Sequence, residues 1–170
     1  MVQYHALGFL HAIKKSDKLA VSKMASKLIR NPLKSTYATC HLIRIVSQLI
    51  QEENGMRQNG IDFLENCLKH KSEMVVFEAA NAMVNLRSGS SLNRDLNSAL
   101  SALQMFCSSQ TTAVRFAAVR TLNQISIEHP LAVSACNMDL ETLISDSNRS
   151  IATLAITTLL KTGAESCIER

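Results

Sequence analysis

Apolar residues recur along this chain at i, i+4, i+5, i+8 and i+11 in five separate segments, which is the spacing of one face of an α-helix. One column reads Val2, Ala38, Val75, Val114 and Ile151, with successive offsets of 36, 37, 39 and 37 residues. Four further columns keep the same offsets: Ala6/Leu42/Ala79/Ala118/Ala155, Leu7/Ile43/Ala80/Val119/Ile156, Leu10/Val46/Met83/Leu122/Leu159 and Ile13/Leu49/Leu86/Ile125/Thr162. Alanine dominates the second of the five columns, where a small side chain lets a neighbouring helix come close. Chance rarely keeps five columns in register over five copies.

Between the copies lie second helical patterns at 18–30, 61–70, 93–108 and 131–145, and breakers fall where turns belong: Asn31-Pro32, Asn54-Gly55, Asn59-Gly60, Ser88-Gly89, His129-Pro130 and Thr162-Gly163. Residues 51–60, "QEENGMRQNG", read as the longest exposed connection. Each unit is then a helix, a turn and a second helix. The expected fold is all-α, an α-solenoid of HEAT- or armadillo-like helical hairpins. The hairpins fall at roughly 18–50, 61–87, 93–127 and 131–162, preceded by a lone helix over 2–14, in one segment spanning 1–170. The lone first helix lacks a partner before it, and "GAESCIER" (163–170) reads as the opening of another hairpin. The expectation is an internal piece of a longer stack whose terminal surfaces expose apolar area.

The stretch "NRSIATLAITTLLKTG" (148–163) has no charged side chain between Arg149 and Lys161. A stack accounts for it, because an inner helix is covered by its own partner and by the inner helices before and after. This helix is therefore expected to be core, with Thr153, Thr157 and Thr158 returning their hydroxyls to carbonyls one turn back. Asn148 and Ser150 are suited to capping its start.

Composition narrows the class further. The chain of 170 residues is 46% hydrophobic but only 4% aromatic, with no Trp, five Gly and two Pro, which suits helices packed through aliphatic side chains. The uncharged run from Ile151 to Leu160 is ten residues, well short of the ~20 that cross a bilayer. Met1 leads directly into a helical pattern without the features of a signal peptide. Five cysteines (Cys40, Cys67, Cys107, Cys136, Cys167), each at least 27 residues from the next, make neither a disulfide framework nor a zinc pattern. They read as reduced thiols filling core space in a cytosolic protein.

Chemistry is not signalled by spacing. The histidines (His5, His11, His41, His70, His129) form no ligand pair on one helical face, and nucleotide-loop and nucleophile-elbow motifs are absent. Cys40 and His41 are adjacent, so a helix points them about 100° apart. No catalytic, cofactor or metal residue is expected, and the chain reads as no enzyme.

Charge is distributed unevenly. From Lys14 to Lys34 the chain carries seven cations against Asp17 alone, a window of +6 in a chain of +4. On a helix Lys23, Lys27 and Arg30 fall within about 60° of one another, opposite Val21, Met24, Ala25 and Leu28. With Lys34 they form a stripe that is either a solvated outer face or a contact patch for anionic lipid or an acidic partner. Nucleic acid is disfavoured, since no aromatics interleave with the cations. Arg115 and Arg120 either reach a concave surface or bond carbonyls of an adjacent repeat.

"MVQYHALGFL" (1–10), "EMVVFEAANAMVNL" (73–86), "LQMFCSS" (103–109), "AVRFAAVRTLN" (113–123) and "DSNRSIATLAITTLLKTG" (146–163) resemble, in the same order, the N-terminal trunk of the coatomer gamma-subunit family. The resemblance runs the length of the chain and is weakest at 51–60 and 87–97. It implies a structural subunit of the COPI vesicle coat, related to the large adaptins of clathrin adaptors and acting in Golgi-to-ER and intra-Golgi transport. It further implies assembly with the zeta subunit and the beta/delta pair, and recruitment by a GTP-loaded Arf-family GTPase. The implied location is cytoplasmic, peripheral on Golgi membranes and COPI-coated vesicles. The alternative within the same class is the large-chain trunk of a clathrin adaptor or another HEAT-repeat transport scaffold. No short motif assigns a zeta- or Arf-contacting residue.

Overall fold

The computed structural model describes residues 2–52, 57–86 and 92–163, and no strand occurs among them. The helices are α1 (Val2–Lys14), α2 (Lys18–Arg30), α3 (Thr36–Glu52), α4 (Arg57–Leu68), α5 (Glu73–Asn85), α6 (Leu92–Cys107), α7 (Thr112–Glu128), α8 (Pro130–Val133), α9 (Asn137–Leu143) and α10 (Arg149–Thr162). The fold class is all-α, built from helical hairpins of the α-solenoid kind. The chain divides into two compact units, Met1–Asp95 and Leu96–Arg170.

In the first unit α3 is the central helix, packed against α5, α1, α4 and α2, while α4 also packs on α5. The five apolar columns explain why. In α3 the column residues Ala38, Leu42, Ile43, Val46 and Leu49 are all buried, and in α5 so are Val75, Ala79, Ala80 and Met83. Ala79 and Ala80, both fully buried, let α5 approach its neighbours closely. Polar rungs reinforce the α3–α5 layer about one repeat apart in sequence. The Arg44 guanidinium makes a two-pronged bond to the Glu78 carboxylate, and Gln51 Nε2 donates to the Asn85 carbonyl at 3.1 Å. At the edge of the unit α1 buries Leu7 but leaves Val2, Phe9, Leu10 and Ile13 exposed.

Helix ends follow local chemistry. Asp17 caps α2 by accepting from the Ala20 amide at 3.0 Å, and Asn31 closes it just before Pro32, which cannot continue a helix. The breaker expected at Asn59-Gly60 is not a breaker: both residues lie inside α4. Gly60 is buried because α4 crosses α3 there at a distance that leaves no room for a Cβ, with Ile50 Cδ1 at 2.6 Å from where one would stand. The glycine serves close approach, and the connection expected over 51–60 shrinks from both sides as α3 runs to Glu52 and α4 starts at Arg57. The turns expected at Asn54-Gly55 and Ser88-Gly89, and the hairpin opening after Gly163, lie outside the described residues.

In the second unit α10 packs against α7, α9 and α8. Column residues Ala118, Val119, Leu122 and Ile125 of α7 are buried, as are Ile151 and Ala155 of α10. The continuous helix expected over 131–145 is instead broken into α8, a 3-10 turn at Ser134–Cys136, and α9. Ser134 Oγ donates to the Leu131 carbonyl at 2.7 Å, and hydroxyls that bond nearby backbone compete with helix continuation. The tightened turn still delivers Val133, Cys136, Leu140 and Leu143 to the core.

Asn148 caps α10 through the Ser150 amide at 2.9 Å, and the three threonines return their hydroxyls to backbone carbonyls: Thr153 to Arg149, Thr157 and Thr158 to Leu154. Ile151, Ala155 and Thr158 of this helix are fully buried, and its other side carries exposed apolar area of the kind expected at a terminal surface. Ile156 is 42% and Leu160 69% exposed, because the helices packed on α10 cover only one side of it.

Candidate functional site

Among the described residues no cluster of three or more His, Cys, Asp or Glu side chains is placed to hold a metal ion. Cys40, Cys67, Cys107 and Cys136 are free and buried. Burial pushes the thiols of Cys67 and Cys107 up to about 12 and that of Cys136 to about 11, so they stay protonated and unreactive. Cys167 lies outside the described residues. Cys40 and His41 part as the helix requires: the Cys40 thiol reaches toward the Met74 carbonyl at 3.8 Å, while the His41 ring turns to α1. There it meets Tyr4 and His11 edge-on, and its Nε2 is buried without a hydrogen-bond partner. Burial, then His11 and Arg44, hold its pKa below the usual histidine range. The orphaned nitrogen stands 3.9 Å from where a Cβ on Gly8 would lie, so the ring packs closely against α1.

Arg115 is structural. Its Nε donates to Asp146 Oδ2 at 2.9 Å and its Nη1 to the carbonyls of Ser109 and Gln110, tying the turn before α7 to the turn before α10. The backbone amide of Asn148, followed by Arg115, holds the Asp146 carboxyl below its ordinary pKa. Arg115 thus bonds carbonyls, as one of its two readings expected, but those of its own turn. Arg120 is exposed.

What remains is surface. The stripe residues Lys23, Lys27, Arg30 and Lys34 are all exposed, three on α2 and Lys34 just beyond Pro32. None of the four takes part in an ion pair among the described residues, whereas neighbouring Lys18 pairs with Glu52 at 2.9 Å. The opposite side of α2 buries Val21 and Ala25. Lys27 and Arg30 stand in the last turn, where cations also favour the helix dipole.

Beside the stripe the surface is concave. Between α2 and α4 runs a groove of about 460 Å³, reached from one lip by Arg30. Its apolar lining comes from Leu28, Ile29, Leu33 and Phe63, and its far wall presents Asn59, Asp62, Asn66 and His70. This far wall was missed by sequence reasoning. The signal was there, since Asn59, Asp62, Phe63 and Asn66 repeat at helical spacing, but reading Asn59-Gly60 as a turn hid it.

This arrangement offers hydrogen-bonding, charge and apolar contact side by side on one concave surface. The chain belongs to the family described as adaptin N terminal region, whose pattern it matches over residues 1–170. Within that family it is similar to coatomer subunit gamma-1 of Rattus norvegicus, 59% identical over the whole of this chain, and to coatomer subunit gamma of Drosophila melanogaster, 60% identical over the whole of it. Coatomer subunit gamma-1 of Homo sapiens is 58% identical over the same span. The chain spans about a fifth of the length of these curated relatives: 19%, 20% and 19% respectively.

Proposed function

We propose that this chain is a trunk segment of a coatomer gamma-type subunit, a structural component of the COPI vesicle coat that works by contact and carries out no reaction. The observation that carries this reading is sequence identity of 58–60% over the full chain to proteins named coatomer gamma. That degree of identity includes surface positions, beyond the apolar columns that any helical hairpin repeat must keep. In this reading residues 1–170 form one scaffold segment of a longer trunk. The parent protein assembles with the zeta subunit and the beta/delta pair, is recruited by a GTP-loaded Arf-family GTPase, and acts in Golgi-to-ER and intra-Golgi transport. Its location is cytoplasmic and peripheral, on Golgi membranes and coated vesicles. No described helix is long and apolar enough to cross a membrane.

The stripe Lys23/Lys27/Arg30/Lys34 serves in this reading as a contact patch for an anionic membrane or an acidic partner. Four exposed cations that form no ion pair among the described residues support it. Affinity capture of the tagged parent protein at near-physiological salt tests the function. Recovery of the zeta subunit and the other coatomer subunits is the expected outcome; recovery of clathrin-adaptor partners in their place would overturn it.

A further inference from the structure

The two walls of the α2–α4 groove are chemically unlike, and the difference points to one kind of occupant. On the α2 side Arg30 lines the groove, and Lys23 and Lys27 stand within about 60° of it around the helix. None of these cations is neutralised by an ion pair among the described residues. On the α4 side Asp62 is the one carboxylate among the lining residues, and it already accepts from Gln58 Nε2 at 3.0 Å. Asn59 and Asn66 stand two turns apart on that wall, about 10 Å along the axis. Each offers an amide donor and acceptor of the kind that pairs with peptide backbone. His70 Nδ1 accepts the Ser72 amide at 3.0 Å, which leaves Nε2 as the nitrogen carrying the proton and so as a donor. Below these polar groups Leu28, Ile29, Leu33 and Phe63 are only half-buried and form an apolar lining.

We infer that this groove docks an extended acidic segment of a partner protein, its apolar side chain seated against Leu33 and Phe63, its carboxylates along the α2 lip and its backbone bonded to Asn59 and Asn66. The inference rests on the reading of the stripe as a contact surface and names its partner. Charge complementarity selects the acidic chain, and concavity selects a peptide over a bilayer. A flat anionic surface could meet Lys23 and Lys27, but it could not reach the half-buried apolar lining, and it would approach the exposed, unfavourable Asp62. A peptide places its own carboxylates on one side only and avoids that clash.

The test is selection of a random-peptide library on the full chain, followed by fluorescence anisotropy of the selected synthetic peptides. Vesicles of phosphatidylcholine with ~20% phosphatidylserine provide the competing surface. The expected peptides carry two or more carboxylates beside an apolar residue and bind less tightly as salt rises from ~50 to ~300 mM. Their affinity falls by roughly tenfold with Arg30→Glu and by several-fold with Asn66→Ala, both exposed positions whose exchange leaves the core intact. Failure to enrich any peptide, or equal binding to Arg30→Glu, overturns the inference. So does vesicle binding by the stripe that none of the selected peptides competes away, which would make this a membrane face. None of these results bears on subunit recovery in the capture experiment, so the coat reading stands or falls separately.

Discussion

Gly60 sets two effects of known size against each other. In an exposed helix, Gly→Ala gains up to ~1 kcal/mol from propensity alone. Here the added Cβ would stand 2.6 Å from Ile50 Cδ1, 2.8 Å from Ile50 Cγ1 and 3.2 Å from Val46 Cγ1. Carbon atoms rest about 3.5–4.0 Å apart at optimum, so α3 and α4 must separate or Ile50 must leave its rotamer. Ile50 is 8% exposed and Val46 fully buried, which leaves little space to yield. Overpacking of a dense core typically costs ~1–3 kcal/mol. The clash wins, and Gly60→Ala is expected to lower stability by a net ~1–2 kcal/mol. Urea unfolding of the full chain followed by far-UV circular dichroism measures it. Ile50→Val removes the nearest methyl and should cut the penalty by ~1 kcal/mol in the double variant, a coupling that a propensity effect would not show. If Gly60→Ala stabilises the otherwise unaltered chain, the close crossing of α3 and α4 is wrong.

Three other outcomes are expected. Thr158 is fully buried, donates to the Leu154 carbonyl and accepts from Asn123 Nδ2 at 2.9 Å; Thr158→Val keeps the shape and removes both bonds, while Thr157 Oγ1 still bonds both groups, so unfolding stability falls by ~0.5–1.5 kcal/mol. His41 has a folded pKa below its unfolded value, with Tyr4, His5 and His11 on α1 and Arg44 on α3 around it. Protonation therefore favours the unfolded state: stability is highest above the unfolded pKa of ~6.5 and falls as pH drops through it. His41→Phe should flatten thermal-unfolding midpoints compared at pH ~7 and ~5.5. The thiols of Cys67, Cys107 and Cys136, raised by burial, should resist iodoacetamide at pH ~8 in the folded chain and react promptly in denaturant, read by peptide mass spectrometry.

Much of this architecture was legible because the apolar columns state it directly. Ala79, Ala80, Ala118 and Val119 are fully buried, as a repeat read at 36–39 residues requires. The cap at Asn148 and the threonine bonds of α10 were equally readable, since both depend on residues within one turn. The misreadings share a cause: a local signal was overruled by packing or by competing backbone bonds. Asn59-Gly60 has the sequence of a turn, yet tertiary packing uses Gly60 as the thin point where two helices cross. Pattern alone could not show the break after Val133, where Ser134 takes up a nearby carbonyl. Exposure of Ile156 and Leu160 depends on which side of α10 has neighbours, and apolar spacing within that helix does not state this.

For the stripe, sequence identified the cations but not the concavity beside them. Arg30 gains its significance from Asn59, Asn66 and Phe63, which lie about one repeat onward in the chain and across the groove. Arg115 shows the reverse case, a cation whose charge is used up internally by Asp146 and two carbonyls.

The reading of this chain as a coat scaffold is tested most directly by substitution. The corresponding segment of a coatomer gamma subunit is replaced by residues 1–170, and the hybrid is co-expressed with the remaining subunits and followed by size-exclusion chromatography. The expected result is a hybrid that co-elutes with zeta and the beta/delta pair in equal amounts, as the natural subunit does. A hybrid that folds, with the helical circular dichroism of the parent, yet elutes apart from those subunits would contradict it.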